Sequence, residues 1–286
     1  MIHIGDFMYI AKEDSTLLTY ILKYIEPNRK KAKKLLSNKA ILINHKNISK
    51  FDYPIKKNDT IEIKKFWDTS ICEKIHIIYE DKDIIVVNKP TNLLTISTDK
   101  EKEHTLYAMV SDYLKRKNKM SKIFIIHRLD KDTSGIIIFA KSEKIKKQYQ
   151  ENWNSLVKYR GYTVVIEGIP KKEEETITLF LKENKLYKVY PSKEGEKAIT
   201  KYKIKQSNRY YSLLDIEILT GKKNQIRATM EYIKHPIVGD KKYGSKDKSL
   251  GRLGLHAHKL IIQNPITKQN MTFECKIPTS FLKVTK

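Results

Sequence analysis

IFIIHRLDKDTSGIIIFA, residues 123–140, is the stretch whose reading decides the fold of the larger part of the chain. Two apolar runs, Ile123–Ile126 and Ile136–Ala140, flank His127, Arg128, Asp130, Lys131, Asp132, Thr133 and Ser134, and Gly135 closes the insert. Short apolar runs bounded by turn residues read as buried strands. The polar insert is then a loop at the ends of core strands, where Asp130 is expected to be partly desolvated. A desolvated carboxylate stays ionised only beside a cation or several donors. Asp130 is therefore the leading candidate for a nucleophile or general base. Arg227, in the first turn of a predicted helix near 224–233, is its expected distant partner, because an unpaired guanidinium there is also costly. Asp132, Thr133 and Ser134 read instead as capping residues, and Gly135 as a conformational requirement.

Working outward, strands are expected in IHIIYEDKDIIVVNKP (75–90), stopped by Pro90, and in YRGYTVVIEG, ITLFL, AITKYKIKQ and YSLLDIEI between Tyr159 and Ile218. Helices are expected over KEHTLYAMVSDYLKRK (102–117) and from Ser142 to Leu156, with Ser142 as cap. The fold class is α+β. Residues 74–286 should form one domain on a curved, mixed, largely antiparallel sheet with flanking helices. Residues 13–65 read as helix, helix, strand, strand, a small α+β domain, with 1–12 as an N-terminal extension and 66–73 as a linker. Its second helix offers Arg29, Lys30, Lys33 and Lys34 with few acids nearby, a surface suited to phosphates.

Charge points the same way. The 286 residues hold 57 Lys+Arg against 33 Asp+Glu, a formal net charge of +24. A fold does not require that excess, and it concentrates polyanions at the surface, nucleic acid before an anionic membrane. No apolar run approaches the ~20 residues that span a bilayer, and the first residues lack a signal-peptide pattern. A cytoplasmic monomer without membrane contact is expected. Cys72 and Cys275 match no metal spacing and read as reduced thiols.

Several chemistries are set aside. Gly239 and Gly244 lack the Lys-Ser/Thr that completes a phosphate-binding loop. His256 and His258 lack a convincing third metal ligand, so local hydrogen bonding is expected of them. There is no G-x-S-x-G and no G-x-G-x-x-G.

The chain resembles the pseudouridine synthases of the large-ribosomal-subunit and tRNA-modifying family, whose signature H-R-L-D-x-x-T-S-G is present from His127 to Gly135. NKP (88–90), KYR (158–160), TGKKNQIR (220–227), HPIVGDKKYG and LHAHKL follow in the family's order, covering about 75–286. The small domain resembles the RNA-binding domain shared with a ribosomal small-subunit protein, with Lys39 and His45 where glycines are usual. The resemblance implies isomerisation of uridine to pseudouridine within structured RNA, ribosomal or transfer, by base flipping, with no cofactor and no metal. It makes Asp130 the catalytic aspartate, acting on the ribose C1′ or on its 2′ proton. Tyr159 is then the aromatic that stacks on the flipped base, and Arg227 the partner of Asp130. His127, Arg128, Lys222, Asn224 and Gln225 become substrate-binding candidates. Lys222 and Asn224 depart from the family's Arg and His, which implies altered RNA choice or loop shape. The alternative reading is a non-catalytic RNA-binding or ribosome-assembly protein on the same scaffold.

Overall fold

The computed structural model describes residues 7–37, 40–63, 75–97 and 104–286. The expected linker, Lys39 and Cys72 lie outside them. The chain divides into two compact units, Met1–Glu73 and Lys74–Lys286.

In the smaller unit the elements run β1 (Phe7–Ile10), β2 (Ser15–Thr16), α1 (Leu17–Tyr24), α2 (Arg29–Ser37), β3 (Ile41–Ile43), β4 (Lys46–Asn47), β5 (Pro54–Ile55) and β6 (Thr60–Ile63). Leu17, Tyr20 and Ile21 of α1 and Ala32 and Leu36 of α2 bury against Ile41, Ile43 and Ile61. That apolar stripe is what makes two short helices stable here, since isolated helices of this length are not. The sheet order is β1-β6-β3-β4, with β1 antiparallel to β6 from Phe7↔Ile63 to Ile10↔Thr60. Residues 7–10 are thus a strand of this unit, which corrects the expectation of an extension over 1–12. Asn44 and His45, at φ 47° and 66°, make the tight turn between β3 and β4. Two left-handed central residues suit the right-handed twist of a hairpin. Asn44 holds this turn through the Asp59 carboxylate (2.8 Å) and the Thr60 amide (2.9 Å).

The larger unit continues with β7 (His76–Glu80), β8 (Ile84–Lys89), α3 (Leu106–Lys117), β9 (Phe124–Ile125), β10 (Ser134–Ala140), α4 (Glu143–Glu151), α5 (Trp153–Leu156), β11 (Val157–Glu167) and β12 (Glu174–Glu183). Then come β13 (Val189–Pro191), β14 (Glu196–Ser207), β15 (Tyr211–Ile218), α6 (Gln225–Tyr232), β16 (Leu255–Gln263), β17 (Asn270–Glu274) and α7 (Thr279–Val284). The helix expected over 142–156 is two helices: the Ser142 hydroxyl accepts from the Ile145 amide, and the chain breaks at Asn152. The strands form one 11-stranded sheet, β13-β12-β14-β15-β11-β16-β10-β8-β7, with β17 on β16 and β9 on β10. Every described ladder is antiparallel except β10–β16, which pairs Ser134↔His256 and Gly135↔Ala257.

That junction depends on Gly135. Its φ is +120°, and a Cβ there would lie 2.2 Å from the Ala257 carbonyl oxygen, so only glycine fits. Strand β10 is buried along its length. Ile136 and Ile138 face Ile145 and Tyr149 of α4, while Val164, Ile166, Leu214 and Ile216 of β11 and β15 face Ile226 and Met230 of α6. Helices α4 and α6 therefore each seal one apolar patch of the sheet, and the 127–133 loop emerges beside them. Among the described residues no helix is long and apolar enough to cross a membrane.

Candidate active site

The loop before β10 is held from beneath by the end of β8. Lys89, fully buried, donates to the carbonyls of Pro90 (3.0 Å), Leu93 (2.7 Å) and Lys131 (2.9 Å). Three acceptors match the three N–H bonds of an ammonium, and a neutral amine would leave one carbonyl facing a lone pair. Burial pushes Lys89 down to about 7, against the pull of Asp132 and Asp130. Thr95 closes on Leu129 from both sides, donating to its carbonyl (2.7 Å) and accepting from its amide (3.3 Å). Thr91 donates to the Asp132 carbonyl.

The two ends of the loop are also tied down. Beyond Gly135 the β16 ladder stops, and the Ile138 amide donates instead to His127 Nε2 at 3.1 Å. An imidazole that accepts there is neutral, and burial pushes His127 down to about 4. At the other end Arg252 donates to the Ser134 hydroxyl (2.6 Å), which contacts His256 Nδ1 (2.7 Å). Burial pushes His256 down to about 4, with Arg252 adding to the effect. The far nitrogen of His256 lies 3.2 Å from Cys275 Sγ, and burial pushes that thiol up to about 12, which leaves it unreactive.

Asp130 stands on this rigid loop at the edge of a cavity of about 470 Å³ that Arg160, Tyr162, Lys222 and Arg227 also line. Its side chain is 45% exposed, not desolvated as the flanking strands led us to expect. The loop lifts it clear of the sheet. Arg227 Nη1 lies 4.0 Å from its carboxylate. The principal partner of Arg227 is instead Asp240, 1% exposed, which accepts from Nε at 2.6 Å and from Nη2 at 2.7 Å. Nη1 also donates to Asn224 at 3.1 Å, and the guanidinium lies over the Tyr243 ring. Burial is the largest influence and opposes the charge of Arg227, but the Asp240 hydrogen bonds together with the attraction of Asp240 and Asp130 raise the pKa overall. A forked, charge-assisted pair fixes a guanidinium in orientation. The remaining nitrogen is thereby aimed at Asp130.

Strand alternation decides which tyrosine belongs to the cavity. Along β11, Arg160, Tyr162, Val164 and Ile166 share the face that meets α6. Tyr159, Gly161 and Thr163 point the other way: the Tyr159 ring and His258 pack over Gly161, and Thr163 bonds His258. Tyr159 is therefore not the aromatic beside Asp130, and Tyr162 is. Burial pushes Tyr162 up to about 12, Arg160 opposing and Asp130 adding to the rise, so its phenol stays neutral. Arg160, whose pKa burial lowers, forms no ion pair among the described residues, and its guanidinium passes so close to Gly221 that a Cβ would lie 2.5 Å away. A half-buried cation facing a cavity in this way is available to an anionic or carbonyl oxygen of a ligand.

The other sequence candidates separate. Exposed Arg128 lines this cavity and a neighbouring one of about 670 Å³, which shares Ile96 and His127 with it. Lys222 pairs with Glu196 at 2.5 Å. Asn224 adopts φ +49° ahead of α6 and serves Arg227. Gln225 is 3% exposed, and its amide is saturated: it accepts from Thr220 and Lys222 and donates to Ile199 and Thr200. It braces the wall and has no hydrogen bond left for a substrate. Arg29, Lys30 and Lys33 are exposed on α2 of the smaller unit, and Lys34 stands in the same helix. Lys89, Arg160, Tyr162 and Asp240 are the residues that sequence reasoning missed.

The family model described as RNA pseudouridylate synthase matches residues 83–232. An uncharacterized RNA pseudouridine synthase homolog from Mycoplasma pneumoniae is 28% identical over 92% of this chain and 89% of its own length. The ribosomal large subunit pseudouridine synthase D of Haemophilus influenzae is 29% identical over 73% of this chain and 69% of its own. Human RNA pseudouridylate synthase domain containing 4 shares the fold with a TM-score of 0.62 and 22% identity, over 74% of this chain and 93% of that one.

Proposed function

The chain belongs to the RNA pseudouridylate synthase family, and on that premise we propose that it isomerises uridines of structured RNA with Asp130 as the catalytic carboxylate. The observation that carries this reading is the pairing of roles around Arg227. Asp240 holds the guanidinium through Nε and Nη2, and Nη1, which also donates to Asn224, faces an accessible Asp130 in a cavity shared with Tyr162.

A uridine reaches such a carboxylate only after leaving its stack, at a few kcal/mol. In the cavity its base meets the Tyr162 ring, and Arg160 and Lys222 supply donors for its oxygens. Asp130 then acts on the ribose, at C1′ or at the 2′ proton, while the bond from C1′ to the base nitrogen breaks, the base turns and a bond from C1′ to carbon 5 forms. Carbon 5 then loses its proton to solvent, the nitrogen ends protonated and the carboxylate is regenerated. Arg227 Nη1 stabilises the carboxylate whenever it is ionised; closing from 4.0 Å to hydrogen-bond range needs a movement of about 1 Å. Arg128, exposed on the rim, suits a phosphate or the place vacated by the base. Ribosomal RNA is the favoured substrate, supported by the named activity of the Haemophilus relative. The exposed Arg29, Lys30 and Lys33 of α2 suit backbone phosphates, consistent with an accessory RNA-binding role for the smaller unit.

The test is Asp130→Asn. The variant should fold and bind RNA, yet release tritium from RNA labelled at uridine carbon 5 at least about 1,000-fold more slowly. Undiminished release would remove Asp130 from the reaction.

A further inference from the structure

The hairpin between β12 and β13 carries a residue that its backbone does not favour. Asn184 to Lys188 form the tip, closed by bonds from the Asn184 amide to the Lys188 carbonyl and from the Tyr187 amide to the Asn184 carbonyl, both 2.9 Å. The Asn184 side chain adds acceptors for the Leu186 and Lys188 amides, both at 2.9 Å. This folds the tip tightly and places Tyr187 at φ +57°. A left-handed position at the end of a short hairpin loop ordinarily takes glycine or asparagine. A bulky aromatic there is a genuine outlier, and outliers of this kind concentrate where a side chain is wanted for contact.

The ring gains little from the protein itself. Tyr187 is 69% exposed and its neighbour Leu186 80%. Around the tip stand Lys185, Lys188, Lys223 and Lys242: Lys223 lies 5.4 Å from the Tyr187 ring centre, and Lys242 donates to the Tyr187 carbonyl at 2.7 Å. Glu183 and Glu231 pair with two of these four lysines, on Lys223 and Lys188, and leave the patch net basic.

The tip is also continuous with the Asp130 cavity. Lys223 lines that cavity, and its ammonium lies beside the Tyr187 ring. Behind it, Tyr243 underlies the Arg227 guanidinium and accepts from the Val189 amide at the base of the hairpin. Tyr243 thus braces the base of the hairpin and underlies Arg227 at once.

We propose that Tyr187 is a stacking platform for an unpaired base of the substrate RNA, outside the uridine pocket and next to it. An exposed ring on a net basic hairpin tip, with one ammonium beside it, fits a single-stranded RNA segment, in which a π-face and a phosphate recur together. A purely apolar protein surface would not call for the lysines. This rests on the reading of the chain as an RNA-modifying enzyme.

The experiment compares Tyr187→Asn and Tyr187→Phe in the full chain. Asparagine accepts the left-handed backbone more readily than tyrosine, so the Tyr187→Asn melting temperature should stay at or above that of the wild type. Its Kd for a short fluorescein-labelled single-stranded RNA should weaken about 5- to 150-fold, the loss of one base stack. Tyr187→Phe should bind as the wild type does. On unmodified ribosomal RNA transcribed in vitro, tritium release by Tyr187→Asn should show a raised KM with kcat unchanged. Wild-type RNA affinity in Tyr187→Asn, or equal weakening in Tyr187→Phe, would overturn the platform. Failure of the wild type to release tritium would instead remove the catalytic reading, and the affinity comparison would still judge Tyr187.

Discussion

Two aspartates face one arginine, and they are treated oppositely. Asp240 is 1% exposed and grips Arg227 through two bonds of 2.6 and 2.7 Å. Asp130 is 45% exposed and stands 4.0 Å from the same guanidinium. In the dry pair each charge depends on the other; in the wet pair water shares the load, and the attraction nears the ~1 kcal/mol of a hydrated contact. A cation can therefore be anchored by one carboxylate and still be offered to a second that stays open to solvent.

The contrast can be broken most forcefully by removing the anchor. Asp240→Ala strands a buried guanidinium and should lower unfolding free energy by about 3–5 kcal/mol in urea titrations. Asp130→Asn should change it by no more than about 0.5 kcal/mol, because its partner is retained elsewhere. Equal losses would mean that the two carboxylates share Arg227 evenly.

Acid probes what holds the loop beneath Asp130. His127 and His256 sit near 4, below the ordinary histidine value. The unfolded chain therefore binds more protons between about 4 and 6.5. The stability these two residues contribute as neutral rings is fully present above 6.5 and is lost as pH falls through 4. The slope should reach about 1.4 kcal/mol per pH unit for each histidine. Urea midpoints measured across that range in wild type and His256→Gln should differ in slope; parallel curves would contradict the assignment for His256.

The smallest effects separate the tyrosines. Tyr162→Leu should slow single-turnover tritium release about 5- to 150-fold by removing a stacking surface worth about 1–3 kcal/mol. Tyr159→Phe, on the opposite face of β11, should leave release unchanged. Reversed results would place the reacting base on the other side of the sheet.

Much of this was legible in the residue order. The apolar runs about H-R-L-D-K-D-T-S-G, the turn itself and Gly135 were readable because burial and turn chemistry leave local signatures. Tyr162 was readable in principle: counting by twos back from Val164 reaches it and passes over Tyr159. Asp240 was not, because its tie to Arg227 closes over 13 positions that run from the first turn of α6 through an irregular segment, and no periodicity links the two. Lys89 looked like the last residue of a strand, and nothing in N-K-P says that its ammonium meets a carbonyl 42 positions on. The smaller unit's first strand leaves little trace in the sequence, because Phe7–Ile10 is a short run whose partner, β6, comes some 50 residues later.

That lysine has a consequence for who yields when the partners meet. Its three carbonyls come from the segment after β8 and from the loop before β10, and releasing any one leaves an N–H of the buried Lys89 without a partner. Amides on the loop, such as Leu93 and Thr133, should then exchange with solvent only when strands β8 and β10 part, not through separate small openings. A loop stitched in this way cannot reshape itself around a guest. Under the proposed function the nucleic acid must do the bending, and the sites modified fastest would be those where the RNA deforms most readily.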